Sequence, residues 1–203
     1  MCGVAGFIDR HVTSSEALNH RVSGMTNALK HRGPDDSGVW IDNSSGLALG
    51  HRRLSIIDLS PAGHQPMQSG CGRFVIVFNG EIYNQLNLRK ELEASNSVTG
   101  WRGHSDTETL LACFTAWGIE RTLRAMVGMF ALALWDRRDR VLTLARDRLG
   151  EKPLYYGWQG DLFLFASELK ALKAHPEFQP DIDHDALTLL LRHNEIPAPY
   201  SIY

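Results

Sequence analysis

The chain has no apolar run near the ~20 residues that a membrane-spanning helix needs, which excludes a helical membrane anchor within it. Its opening, MCGVAGFIDR, lacks both a basic leader and a long apolar stretch, so it does not read as a secretory signal. Cysteine is scarce and odd in number: Cys2, Cys71 and Cys113 are scattered, which excludes a disulfide framework and predicts a reducing, cytoplasmic setting. There is no charge excess of either sign, with 21 Lys and Arg against 23 Asp and Glu. A nucleic-acid or anionic-membrane footprint is therefore not expected. Nine histidines are present, but His51, His64 and His104 have no ligand spacing and Cys71 and Cys113 stand alone, so no metal site is expected. Neither a GxxxxGK[ST] phosphate loop nor a GxGxxG turn occurs. Internal repeats and low-complexity segments are missing too.

What remains suits one globular domain: 203 residues, 43% of them hydrophobic. A strand is expected over 3–9. Leu18, Val22, Met25 and Leu29 mark one face of a helix over 16–30, capped by Ser14 or Ser15. HRGPDDSG (31–38) is turn-rich and ends it. Short strands follow near 38–42, 47–57 and 73–78, then a polar helix over 86–94 and a looser stretch over 95–104. Ser105-Asp106-Thr107-Glu108 has the form of a capping box, opening a helix that Gly118 ends. A short helix near 120–127 leads into strands over 129–136, 140–147, 153–158 and 162–167. These runs are nearly continuously apolar, so they should be buried on both faces. A helix over 168–174 and another capped by Asp183 close the pattern. Because strands and helices do not alternate strictly, a layered α+β architecture is expected rather than a doubly wound sheet.

Chemistry concentrates at the first residues. Removing Met1 would leave a thiol and a free α-amine on Cys2. Free cysteine has a pKa of about 8.5, so it is mostly protonated at neutral pH. An α-amine titrates at about 7.7–8.0, which suits a general base. One residue can thus carry both nucleophile and base. Gly3 and Gly6 leave space for a ligand beside the backbone, with a plain, tightly packed edge strand as the alternative.

An attacked amide develops an oxyanion that needs preset donors. Phe78-Asn79-Gly80-Glu81 offers a side-chain amide followed by an accessible backbone N–H. Asn-Gly between apolar runs is equally a hairpin signal, and taken alone it favours a hairpin turn. An amino-acid substrate also needs a cation for its carboxylate and an anion for its ammonium. In a regular strand Arg53 shares a face with Leu47 and Leu49 and points inward; a surface salt bridge is the plainer alternative. Asp106 lies in a helix's first turn, where a helix-dipole role would also explain it. Cys113, between apolar helix positions, reads as a buried small hydrophobe. Asp147-Arg148-Leu149-Gly150 reads as a turn held by an Asp–Arg contact. Trp101, Trp117, Trp135 and Trp158 are placed in the core or at its rim.

Taken together, MCGVAGFID, HRGPDDSG, RRLSIIDLS, AGHQPM, FNGEIYN, SDTE, GMFALALWD, RDRLGEKPLYYG and FASELKAL closely resemble the glutaminase domain of asparagine synthetase B-type enzymes, the class II glutamine amidotransferases. The resemblance runs in order through essentially the whole chain. It implies a four-layer αββα sandwich of the N-terminal nucleophile hydrolase type. It implies Cys2 as nucleophile, the Asn79 side chain and Gly80 N–H as oxyanion hole, and Arg53 as partner of the glutamine carboxylate. Glu81 and Asp106 fall at the positions that bind the α-amine. Arg32 and Gly33 match a supporting turn beside the nucleophile. The implied domain spans 1–180, with 181–203 beginning the linker and helix toward an ATP-dependent synthetase domain that this sequence lacks. ATP and Mg2+ are expected only in that domain, and no cofactor is expected in this chain. The implied partners are glutamine and a synthetase domain or subunit, with a homodimer left open. The implied reaction is hydrolysis of glutamine to glutamate and ammonia.

Overall fold

Alternation along the strands builds the molecule. In a β-strand successive side chains face opposite sides. In β1 (Gly3–Ile8), Val4 faces one way and Ala5 and Phe7 the other. In β3 (Leu47–Arg53), Leu47 and Leu49 oppose Ala48 in the same manner. Both faces are apolar, so the strands can be buried only between two further layers. The computed structural model of the chain shows those layers, and describes residues 1–203 except 13, 57 and 99. Ile57, the last residue of the strand expected over 47–57, and Thr99, in the stretch 95–104, lie outside the described residues.

One sheet has five antiparallel strands. Its order is β2 (Asp36–Asp42), β3, β1, β9 (Leu162–Ala166) and β8 (Tyr155–Gln159). The other has four, in the order β4 (Met67–Gln68), β5 (Phe74–Ile82), β6 (Gly128–Asp136) and β7 (Val141–Arg146). Val4, Leu49 and Phe165 of the first sheet meet Val75, Val77, Ala133 and Trp135 of the second in a dry middle layer. On the outer face of the five-stranded sheet lie α1 (Ser15–Ala28) and α5 (Leu169–Lys173), packed through Leu18, Val22, Met25 and Leu172. The four-stranded sheet is covered by α2 (Gln85–Ala94), α3 (Asp106–Trp117) and α4 (Ile119–Ala125). Each fully buried Leu, Val or Phe in these layers contributes about 1.5–3 kcal/mol, which makes the three parallel cores the main source of stability. The αββα order is the one expected.

Helix ends follow local chemistry. The Ser14 hydroxyl accepts the Ala17 N–H at 3.4 Å, and Asp183 caps α6 (His184–His193) through Asp185 and Ala186. In residues 181–203, Ala186 is buried and the Tyr203 ring lies edge-on against Phe178. The expected capping box at α3 forms only in half. Ser105 accepts the Thr107 N–H at 3.1 Å, but Glu108 turns to the N–H groups of Arg102 and Gly103, at 2.8 and 3.0 Å.

Two further expectations need correction. Double burial holds for β6 and largely for β9, but β7 and β8 are edge strands, and Tyr155, Tyr156 and Trp158 are exposed. Apolar character alone does not distinguish a central strand from an aromatic-rich edge. The turn after β7 is not held by an Asp–Arg contact. Asp147 instead accepts backbone N–H groups of Phe130, Leu149, Glu151 and Lys152, at 2.9–3.2 Å. Burial pushes its carboxyl up, but these donors outweigh that and hold it below the ordinary range.

Candidate active site

Three strands deliver side chains to one end of the middle layer. Gly3 pairs with Arg52, which sets Cys2 beside the end of β3. The Cys2 sulfur accepts the Leu54 N–H at 3.4 Å and lies 3.6 Å from the Leu54 carbonyl. Arg53 follows Leu47, Leu49 and His51 on the same face of β3, inward as strand parity requires. Asn79 follows Val75 and Val77 on β5. Between them, the buried His51 ring reaches the Phe78 carbonyl at 3.0 Å and ties the two sheets together. Burial pushes that ring down to about 4, so it is neutral and donates through Nε2.

Asn79 and Gly80 are not at a hairpin turn. β5 runs through them, pairing Asn79 with Ala131 and Gly80 with Phe130. The glycine is needed there because a Cβ would lie 2.3 Å from the Met129 carbonyl oxygen and 2.7 Å from Phe130 Cα. Gly80→Ala should therefore destabilise the domain by about 1–3 kcal/mol, read as a lower denaturation midpoint. Along β5 the Phe78 N–H goes to the Gln65 side chain at 2.7 Å and the Ile82 N–H to Asp106 at 3.1 Å. By antiparallel alternation the Gly80 N–H points to that same edge, between them. β4 pairs only as far as Ile76, so among the described residues no strand covers it there. The Asn79 side chain is 2% exposed, and its Nδ2 has no hydrogen-bond partner among the described residues. A buried unmade donor costs about 1–3 kcal/mol, a cost that an acceptor beside Nδ2 would relieve.

Arg53 is buried, and among the described residues no carboxylate pairs with it as a surface salt bridge would. Its guanidinium donates to the carbonyls of Ser60, at 3.0 Å, and Asp58. A Cβ on Gly63 would collide with Nη2, so that glycine makes the space. Asp106 is 6% exposed. Burial, with the Glu81 carboxylate adding to it, pushes Asp106 up to about 6 against the pull of the Ile82 and Thr107 donors. A cation placed beside it would relieve that penalty.

Arg32 and Gly33 support the chain around Cys2 and the end of β3. Arg32 Nε donates to the Cys2 carbonyl at 2.9 Å and Nη1 to Glu168 at 2.9 Å. Burial raises Glu168, but Arg32, His31 and Lys170 outweigh it and bring its carboxyl down to about 2. A Cβ on Gly33 would lie 2.4 Å from the Arg52 carbonyl carbon, so the turn rests directly on β3. Burial also pushes the Cys2 thiol up, beyond what Leu54, the terminal ammonium and Arg53 recover. At neutral pH it is a thiol and needs a base to attack anything.

Cys2, Arg53, Asn79, Gly80, Glu81 and Asp106 line one cavity of about 130 Å³. Sequence reasoning missed Gln65, Met129 and Lys152 on the same walls. Gln65 lies in the AGHQPM string, whose role is now plain: its amide bridges the Phe78 N–H and Thr107 Oγ1, at 2.7 and 3.3 Å. The other two carried no readable signal beyond belonging to GMFALALWD and RDRLGEKPLYYG.

The family model described as "Glutamine amidotransferase domain" matches residues 1–203. The chain belongs to this family. The amidotransferase domain is 38% identical over 221 residues to the putative asparagine synthetase [glutamine-hydrolyzing] 2 of Methanocaldococcus jannaschii, covering 100% of this chain and 41% of that protein. It is 40% identical over 197 residues to asparagine synthetase [glutamine-hydrolyzing] 3 of Bacillus subtilis, covering 93% of this chain and 30% of that protein. The chain thus spans less than half the length of these curated relatives. Among solved structures, the glutamine phosphoribosylpyrophosphate amidotransferase of B. subtilis superposes with a TM-score of 0.67 at 22% identity, over 85% of this chain and 43% of that one. The αββα sandwich of the amidotransferase domain is the N-terminal nucleophile hydrolase fold. Among its described residues, no helix is long and apolar enough to cross a membrane, and no group of three His, Cys, Asp or Glu is placed to hold a metal.

Proposed function

We propose that this domain hydrolyses glutamine to glutamate and ammonia through Cys2, after removal of Met1. The observation that carries the reading is the unpartnered Asn79 Nδ2, buried in the same cavity as the thiol. In the proposed reaction the Cys2 sulfur forms a bond to the side-chain carbonyl carbon of glutamine, and its proton passes to the Cys2 α-amine. Asn79 Nδ2 and the Gly80 N–H take the oxyanion. As the C–N bond breaks, the amine returns that proton to the leaving nitrogen, which departs as ammonia. Water then cleaves the glutamyl thioester, releasing glutamate and restoring the thiol. Arg53 faces the substrate carboxylate; Asp106 and Glu81 face its ammonium.

That charge layout favours a free amino acid over a simple amide. Given relatives that are glutamine-hydrolysing asparagine synthetases, the ammonia is expected to serve a synthetase domain or subunit that uses ATP and Mg2+. Turnover of glutamine, asparagine and unsubstituted acyl-amides tests the reading: only glutamine should be hydrolysed efficiently. Equal rates on a simple acyl-amide would overturn it. A pH dependence follows from Asp106. Its carboxyl stands at about 6, so it is charged above that pH and neutral below it. The KM for glutamine should therefore rise as pH falls through about 6, by on the order of tenfold. In Asp106→Asn the KM should be high at every pH, with no inflection near 6.

A further inference from the structure

Lys152 is 8% exposed and lines the Cys2 cavity. A buried ammonium is costly unless it is paired. Yet its Nζ reaches only two sulfurs, Met129 Sδ at 2.9 Å and Met1 Sδ at 3.9 Å, and among the described residues no carboxylate pairs with it. Sulfur is a weak acceptor, so the cation is held there without being neutralised.

The turn is organised to keep it so. Asp147 accepts the Lys152 N–H at 3.0 Å, and the Arg146 guanidinium donates to the Lys152 carbonyl at 2.5 Å. Both backbone groups of Lys152 are thereby fixed. Gly150 supplies the left-handed residue, φ +67°, and its carbonyl is also bound by Arg146. Asp147 spends its oxygens on backbone N–H groups, and among the described residues neither it nor the adjacent Glu151 forms an ion pair with Lys152 Nζ. The RDRLGEK string is thus a device that presents a bare ammonium to the cavity.

The Met1 side chain lies between this ammonium and Arg32, whose Nη2 is 4.0 Å from Met1 Sδ. Removal of Met1 would place the new α-amine of Cys2 on the side that these two cations flank. The other charged side chains on the cavity walls are Arg53 from β3, Asp58 from the loop after β3, Glu81 from β5 and Asp106 from the start of α3. Arg32 is neutralised by Glu168 at 2.9 Å; Lys152 is not neutralised.

We propose that Lys152 is a positioning residue whose ammonium keeps the α-amine of processed Cys2 in its neutral, proton-accepting form. The inference rests on the glutaminase reading above. A neighbouring cation lowers the proton affinity of an amine, and only the neutral amine can take the thiol proton.

The test uses the processed chain in a Cys2→Ser background, so that the α-amine titrates without a coupled thiol. With 13C-labelled serine, NMR follows the amine midpoint in otherwise unaltered protein, in Lys152→Arg and in Lys152→Met. The midpoint should rise on the order of one pH unit in Lys152→Met and stay in place in Lys152→Arg. In chains that retain Cys2, the acid limb of the glutaminase pH profile should move up by the same amount in Lys152→Met. An unmoved midpoint in Lys152→Met overturns the proposal, as does an equal shift in Lys152→Arg, which would make shape rather than charge responsible. A raised KM with no change in the acid limb overturns it as well. Activity surviving in Cys2→Ala would defeat the glutaminase reading instead, and leaves the NMR result to stand separately.

Discussion

Replacing Cys2 by Ala is expected to abolish glutamate release from glutamine, a loss on the order of 10⁴-fold or more, while the domain folds normally. The expectation joins two facts about one side chain. Structurally, the sulfur makes only the weak contacts to Leu54, and Gly3 to Ile8 hold β1 in its sheet without it. The melting temperature should therefore change little. Chemically, Cys2 carries the thiol of the cavity; the hydroxyl oxygens of Ser105 and Thr107, which also line it, are engaged by the Thr107 N–H and the Gln65 amide, and in the proposed mechanism Glu81 and Asp106 face an ammonium. Glutamine should still bind to Cys2→Ala, because the groups proposed to hold its two charged ends are untouched. Calorimetric binding with no turnover is the combined result to look for.

Asn79→Ala carries the second large effect. Deleting one oxyanion donor typically lowers kcat by about 10²–10³-fold, or roughly 2.7–4 kcal/mol of transition-state stabilisation. KM should barely move, since in the proposed mechanism the amide meets charge that develops only during attack. Stability should hold or improve. Nδ2 is buried without a partner, so its removal strands no acceptor and lifts a penalty of about 1–3 kcal/mol. A slower enzyme that is equally or more stable would distinguish this role from a structural one. A purely structural asparagine would show the reverse, with lowered stability and a kcat close to that of the parent.

The inward set of Arg53 was legible because strand parity is strict: once Leu47 and Leu49 are core, Arg53 must follow them. The four layers were legible from strands apolar on both faces. The state of Asn79-Gly80 was not. Its local pattern is that of a turn, and it is kept extended by pairing with Ala131 and Phe130, some fifty residues away in sequence. Lys152 escaped notice for a similar reason. A lysine in a turn is ordinarily a surface residue, and only the contacts of Asp147 and Arg146 turn this one inward. The exposed aromatics of β8 misled in the opposite direction, since Tyr155, Tyr156 and Trp158 look like core until the sheet order sets them at an edge.

The whole mechanism requires a thiol and a free amine on the same residue. Mass spectrometry of the first peptide, acid-quenched during glutamine turnover, examines that requirement directly. The peptide should begin at Cys2 and carry a glutamyl group on its sulfur. A chain that still begins with Met1 while glutamate accumulates at the full rate would contradict it.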